Sequence, residues 1–204
     1  MTALILVDMQ NDFFPGGALE VKGGDEILPA VNHLLEHSFD AVVATKDWHP
    51  EGHISFAGTH KKNPGETIEL DDGPQTLWPE HCVANTPGAK FAPGWPKEKV
   101  DKRIYKGTDP MIDSYSTFFD NGHHKKTGLD TWLKERGIHT LYLAGLATDY
   151  CVKYSALDAA DLGYRVFVVT EGCKGVNLHP DDVKKAYREM RNKGIRIVSI
   201  DEVI

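Results

Sequence analysis

The sequence predicts a three-layer α/β/α sandwich around a mainly parallel, doubly wound sheet. Short aliphatic runs without polar interruption, such as Ala3 to Val7 and Thr140 to Ala144, have the composition of strands covered on both faces. Between them lie segments with helical spacing of apolar residues, several closed by a glycine, as at Gly137, Gly163 and Gly194. Strand and helix alternate along most of the chain, and such alternation implies right-handed crossovers onto a parallel sheet.

The first strand, Ala3 to Val7, ends at Asp8 and gives way to QNDFFPGGAL, whose Pro15, Gly16 and Gly17 form a turn cluster. A helix beginning near Asp25 gathers Ile27, Leu28, Val31, Leu34 and Leu35 on one side. The second strand, Ala41 to Thr45, again stops at polar residues: Lys46, Asp47, Trp48 and His49. From Pro50 to about Lys99 the period is lost while Pro, Gly, His and Trp accumulate. Compact domains rarely carry that much irregular chain without a use for it. A strand resumes at Arg103 to Tyr105 and stops at Lys106 and Gly107. A helix from about Leu129 to Arg136 leads into the central strand, Thr140 to Ala144. The small-residue turn that follows opens the helix holding Cys151, with Thr148 as its expected cap. Ser155, Ala156, Ala159 and Ala160 give that helix a face small enough to lie close on a sheet. Strand Arg165 to Thr170, a turn with Gly172 and Gly175, helix Asp181 to Lys193 and strand Arg196 to Ile200 complete the order.

The length of 204 residues suits one full-sized core, so residues 1–204 read as one domain with an irregular excursion at about 46–99. The net charge of −7 is spread out, with no basic run or basic helix face, which argues against nucleic acid or a membrane as partner. A small-molecule substrate is expected instead, and a homo-oligomer is left open. The three cysteines are widely spaced and odd in number, unlike a disulfide framework. The chain enters a strand at once and has no long apolar segment, so a cytoplasmic setting is expected.

In open α/β sheets ligands bind beyond the carboxyl ends of the strands. Asp8, Asp47, Lys106 and Cys151 all follow predicted strands and should share one rim. A lone cysteine is usually a small packing residue. Beside an acid and a lysine, and in the first turn of a helix, it becomes a candidate nucleophile whose thiolate is favoured. Four of the ten histidines, His49, His53, His60 and His81, fall in the irregular region. Asp47 and His49, two apart on an extended segment, point to the same side, and His81 can join them from the loop. One carboxylate and two imidazoles suit Zn²⁺, Fe²⁺ or Mn²⁺ and leave positions open for catalysis.

LVDMQNDF (Leu6 to Phe13), KDWHPEGH (Lys46 to His53), LWPEHCV (Leu77 to Val83), YKG (Tyr105 to Gly107) and GLATDYCV (Gly145 to Val152) resemble, in order, the motifs of bacterial nicotinamidases of the isochorismatase-like cysteine hydrolase superfamily. The resemblance spans nearly the whole chain. It implies a catalytic triad of Asp8, Lys106 and Cys151, and a divalent metal, Zn²⁺ foremost with Fe²⁺ or Mn²⁺ as alternatives, on Asp47, His49 and His81. His53 stands as an optional further ligand, since the family varies there. The resemblance also implies a non-proline cis peptide at Leu146 to Ala147, an oxyanion hole from the N–H groups of Ala147 and Cys151, and a ring pocket of Phe13, Trp78, Tyr115 and Leu146. The implied reaction is hydrolysis of nicotinamide to nicotinic acid and ammonia through a cysteine thioester, in NAD salvage, extending to pyrazinamide. Two alternatives remain at this stage: another amide hydrolase of the superfamily, and a non-catalytic binding module on the same fold. The binding module is disfavoured by the absence of G-x-G-x-x-G after the first strand, where the chain reads DMQNDF.

Overall fold

The computed structural model describes residues 1–203. Its main sheet has six strands: β1 (Thr2–Val7), β2 (Ala41–Asp47), β5 (Lys102–Lys106), β6 (Thr140–Leu146), β7 (Arg165–Lys174) and β8 (Arg196–Val198). They lie in the order β5-β2-β1-β6-β7-β8, with every neighbouring pair parallel. The chain thus moves outward from β1 in one direction, returns, and moves outward from β6 in the other. The crevice between β1 and β6 is the switch point at which such sheets bind ligands.

Alternate residues of each strand feed two separate cores. Ala3, Ile5 and Val7 of β1 face one core, with Leu129 and Leu133 of α2 (Leu129–Lys134), Ala156 and Ala159 of α3 (Lys153–Asp161), and Ala186 and Met190 of α4 (Asp182–Asn192). Leu4 and Leu6 face the other, with Val31 and Leu34 of α1 (Leu28–Leu34) and loop residues Ala89, Ala92 and Trp95. The expected small-residue contact of the cysteine helix is present, for Ser155, Ala156 and Ala159 are buried. Glycines in the left-handed region follow three helices, Gly137, Gly163 and Gly194, as their spacing predicts. Among the described residues no helix is long and apolar enough to cross a membrane.

Several boundaries differ from the sequence expectation. The chain from Gly24 to Ile27 is a 3-10 turn, and α1 begins only at Leu28, with Pro29 in its first turn. The strands run longer: β2 reaches Asp47 and β5 reaches Lys106 because those residues still pair with each other. β7 passes straight through the expected turn at Gly172. A Cβ there would come within 2.9 Å of Ala144 Cβ, so this glycine permits close approach to β6 rather than a turn. The last strand stops at Val198, and Ser199 and Glu202 form a capping box around a 3-10 turn. Inside the irregular region lies an antiparallel hairpin, β3 (Thr67–Leu70) with β4 (Gly73–Thr76).

Candidate active site and metal centre

Lys106, the last residue of β5, is buried and sits at the centre of the site. Its Nζ lies 2.8 Å from Asp8 Oδ2 and 3.3 Å from Cys151 Sγ, donates to the Ser114 carbonyl at 3.0 Å, and contacts Asp47 Oδ1. Burial disfavours the ammonium, but Asp47, Asp8 and Cys151 outweigh it and raise the lysine well above its ordinary value. Asp8 follows β1 with φ +48, and its Oδ1 accepts a 2.6 Å hydrogen bond from Thr45. Its Oδ2 accepts no hydrogen bond despite the ion pair. Oxygens of Asp8 and Asp47 and the Cys151 sulfur all lie within 4.8 Å of one another. Burial raises Asp8, with Lys106 opposing, so this carboxylate has more affinity for a proton than an exposed one.

Cys151 is buried near the start of its helix, but two local expectations change. Ala147, not Thr148, occupies the N-cap position, and Thr148 to Val152 form a single π-helical turn ahead of α3. The Ala147 carbonyl accepts from the amides of Tyr150 and Val152. The resting sulfur also favours the thiol rather than the thiolate. Burial pushes it well up, Lys106 opposes, and the Asp8 and Asp47 carboxylates add to the rise. A helix start contributes at most about 2 kcal/mol. Full burial can move a group by about 3–5 pK units at about 1.4 kcal/mol each, so burial wins. The peptide Leu146 to Ala147 is cis, as expected.

Asp47 ends β2, and its carboxylate is divided between two neighbours. Oδ1 meets Lys106, while Oδ2 lies 3.6 Å from His49 Nε2 and 3.7 Å from His81 Nε2. His49 Nδ1 lies 2.9 Å from the Gly107 carbonyl, and His81 Nδ1 lies 2.8 Å from that of Pro79. A carbonyl only accepts, so both Nδ1 atoms carry the hydrogen, and in the neutral rings both Nε2 atoms present lone pairs to the carboxylate. Three electron-rich atoms converging without a donor fit a bound cation, and the carbonyls that fix the tautomers are the usual outer partners of ligating histidines. Gly107 is required at its place: φ is +61, and a Cβ would overlap the His49 ring. His53 lies against His49 with ring centroids 4.2 Å apart and planes tilted by 31°, but its Nδ1 is 2.7 Å from Ser55 Oγ. It groups with His49 and Asp113, apart from Asp47 and His81. His60 stands apart, its Nε2 2.7 Å from the Ile54 carbonyl.

A cavity opens beside the sulfur. Phe13, Trp78 and Tyr115 line it as expected, together with Asp47, His81, Ala147 and Cys151. Trp78 Nε1 donates to Tyr115 Oη at 3.1 Å, which locks these two walls together. Leu146 has a fully buried side chain in the same core cluster as Phe13 and Val21, and its neighbour Ala147 reaches the cavity. Leu19, Asp113, Tyr150 and Val176 also line the cavity and were not anticipated. Tyr150 adjoins Cys151 inside a motif already singled out, so its position was a usable signal. Nothing local marks the other three. Asp113 is fixed by hydrogen bonds from Gln75 Nε2 at 3.0 Å and the Ser114 amide at 2.7 Å.

A family model described as Isochorismatase domain matches residues 2–202. The nicotinamidase of Escherichia coli K12 is 47% identical over 97% of this chain and 94% of its own length. The structure of an Acinetobacter baumanii nicotinamidase pyrazinamidase superposes with a TM-score of 0.96 at 44% identity, covering 100% of this chain and 98% of that one. A Pyrococcus horikoshii pyrazinamidase solved in complex with zinc gives a TM-score of 0.78 at 40% identity, with 97% and 98% covered.

Proposed function

The chain belongs to the isochorismatase-domain family, and from that premise we propose that it is a nicotinamidase, hydrolysing nicotinamide to nicotinic acid and ammonia in NAD salvage and acting also on pyrazinamide. The observation that carries this reading is the position of Cys151, which lines a cavity walled by Phe13, Trp78 and Tyr115 while lying 3.3 Å from Lys106. A flat aromatic carboxamide suits such walls. The names of the relatives agree with it.

In the proposed reaction Asp8 takes the thiol proton as Cys151 Sγ bonds to the carboxamide carbon, and the carbonyl electron pair moves to oxygen. The N–H groups of Ala147 and Cys151 hold that oxyanion. Asp8 passes the proton to the departing nitrogen, the C–N bond breaks, and ammonia leaves a thioester on Cys151. Asp8 then takes a proton from water as the water oxygen adds to the thioester carbon. The C–S bond breaks, the sulfur recovers a proton, and nicotinic acid is released. Lys106 stays charged throughout and stabilises whichever of Asp8 and Cys151 is anionic. Asp47, His49 and His81 would hold a divalent ion, with Zn²⁺ favoured by the zinc-bound relative and Fe²⁺ or Mn²⁺ as alternatives. When bound, that ion supplies a Lewis-acidic anchor for the pyridine nitrogen. The three unpaired cysteines favour work in the cytoplasm.

The test is ammonia release from nicotinamide by protein as purified, after chelation, and after return of Zn²⁺, Fe²⁺ or Mn²⁺. Activity that chelation removes and one ion restores is the expected result. Activity indifferent to chelation would keep the amidase and dismiss the metal from it. No activity under any ion, with Cys151 reduced, would reassign the chain to another carboxamide.

A further inference from the structure

The segment after β1 does more than supply Asp8. In Asp8-Met9-Gln10-Asn11-Asp12-Phe13 alternate residues reach different parts of the site. Gln10 is fully buried. Its Oε1 accepts from the Asp47 amide at 2.8 Å, and its Nε2 donates to the carbonyls of Asp47 at 2.8 Å and Ala89 at 3.1 Å. Asp47 lies beyond Ala44, the last residue of β2 that pairs with β1. The Gln10 side chain therefore makes the two hydrogen bonds that a continuing strand would have made. On its other side Asp47 pairs in register with Lys106, so its backbone is held from both directions.

Asp12 holds the second ligand loop in a similar way. Its Oδ2 accepts from the amide of Cys82, the residue after His81, at 2.7 Å, and its Oδ1 accepts from the Ala18 amide at 3.2 Å. Gly88 packs against this carboxylate so closely that a Cβ there would overlap it, so a side chain at 88 would displace Asp12 from this position. The next residue, Phe13, sets its ring edge-on to that of His81 at 5.6 Å.

We propose that Gln10 and Asp12 are positioning residues for the metal centre: Gln10 fixes the backbone of Asp47, and Asp12 fixes the loop that delivers His81. The proposal rests on the metal-dependent reading above. Ligand atoms must stand within tenths of an ångström of their ideal places, and these two ligands come from separate segments, bridged to each other through the backbone of His49 with Cys82 and Ala84 and each braced again by a side chain of the stretch after β1. That stretch also carries Asp8, so base and metal centre share one support.

The experiment titrates metal-stripped protein with Zn²⁺ against a chromophoric chelator, and records thermal unfolding of the metal-free form and kcat and KM for nicotinamide. Gln10→Met, without polar atoms, and Asp12→Ala are expected to weaken Zn²⁺ binding about 10- to 100-fold. Asp12→Asn keeps an acceptor for the Cys82 amide and should recover most of the affinity. If Gln10→Met does not fold, Gln10→Glu replaces it with the same expectation, since it keeps the acceptor for the Asp47 amide and loses both donors. Wild-type Zn²⁺ affinity in the variants, with only the Tm of the metal-free form lowered, would overturn the proposal. Wild-type protein that binds no Zn²⁺ would overturn the metal reading as well, and that result precedes any substitution.

Discussion

Asp47 and Lys106 are register partners on neighbouring strands, and their side chains form a buried ion pair. The pair joins the two halves of the site, because the same lysine contacts Asp8 and Cys151 while the same carboxylate faces His49 and His81. Lys106→Met keeps the apolar stem and removes the charge, leaving two buried carboxylates uncompensated. Removal of one partner from a buried pair costs about 3–5 kcal/mol. Urea unfolding should show a loss of that order, together with turnover at background. A variant as stable as wild type would contradict the central place given to this lysine.

Cys151→Ala should release no ammonia above background while calorimetry still detects nicotinamide binding, since Phe13, Trp78 and Tyr115 are untouched. Cys173 is the internal control. Burial pushes it up to about 12, so at pH 8 only about one molecule in 10⁴ carries its thiolate. Cys173→Ala and Cys82→Ala should both turn over, and alkylation of native protein should spare Cys173. Rapid labelling of Cys173 without unfolding would count against its buried environment.

Tyr115 Oη accepts from Trp78 Nε1 at 3.1 Å and from Gln75 Nε2 at 3.2 Å. Tyr115→Phe leaves the indole N–H without that partner, at a cost of about 1–3 kcal/mol in stability. The loosened wall should raise KM for nicotinamide more than it lowers kcat. A fall in kcat alone would point to a role in the chemistry instead.

Burial and the neighbouring His49 hold the His53 imidazole down at about 4, from 6.5. Between those values the unfolded chain binds a proton that the folded chain does not, so stability rises with pH across this window and is lost as pH falls. Metal-stripped protein should lose roughly 3 kcal/mol of unfolding free energy between pH 6.5 and pH 4 on this account. His53→Gln should flatten that part of the profile, and an unchanged slope would assign the loss to other groups.

Strand positions and the ends that carry Asp8, Asp47 and Lys106 were legible because continuous aliphatic runs stop at polar residues. Asp47, His49 and His81 were legible as candidate ligands from their motifs, and the fold brings their side chains together. What escaped depends on contacts between distant segments. Gly73 and Pro74 lie in the stretch that shows no period, yet they begin a hairpin strand whose partner supplies the ladder. Gly172 reads as a break, and only the neighbouring Ala144 explains it as a close approach. Leu146 falls inside a cavity-forming motif, but strand alternation turns its side chain into the core. The protonation of Cys151 was misjudged because a helix start is visible in sequence and depth of burial is not.

The sheet order also sets a requirement of reach. β5 lies two strands from β1 and three from β6. With strands about 4.8 Å apart, the cation starts roughly 10 Å and 14 Å across the sheet from the strands that lead to its two partners. Asp8 and Cys151 lean inward from their strand ends, and the long flexible stem of lysine spans what is left. The side chain is therefore a matter of length as much as of charge. A cation with one methylene fewer would carry the same charge and fall short of the sulfur.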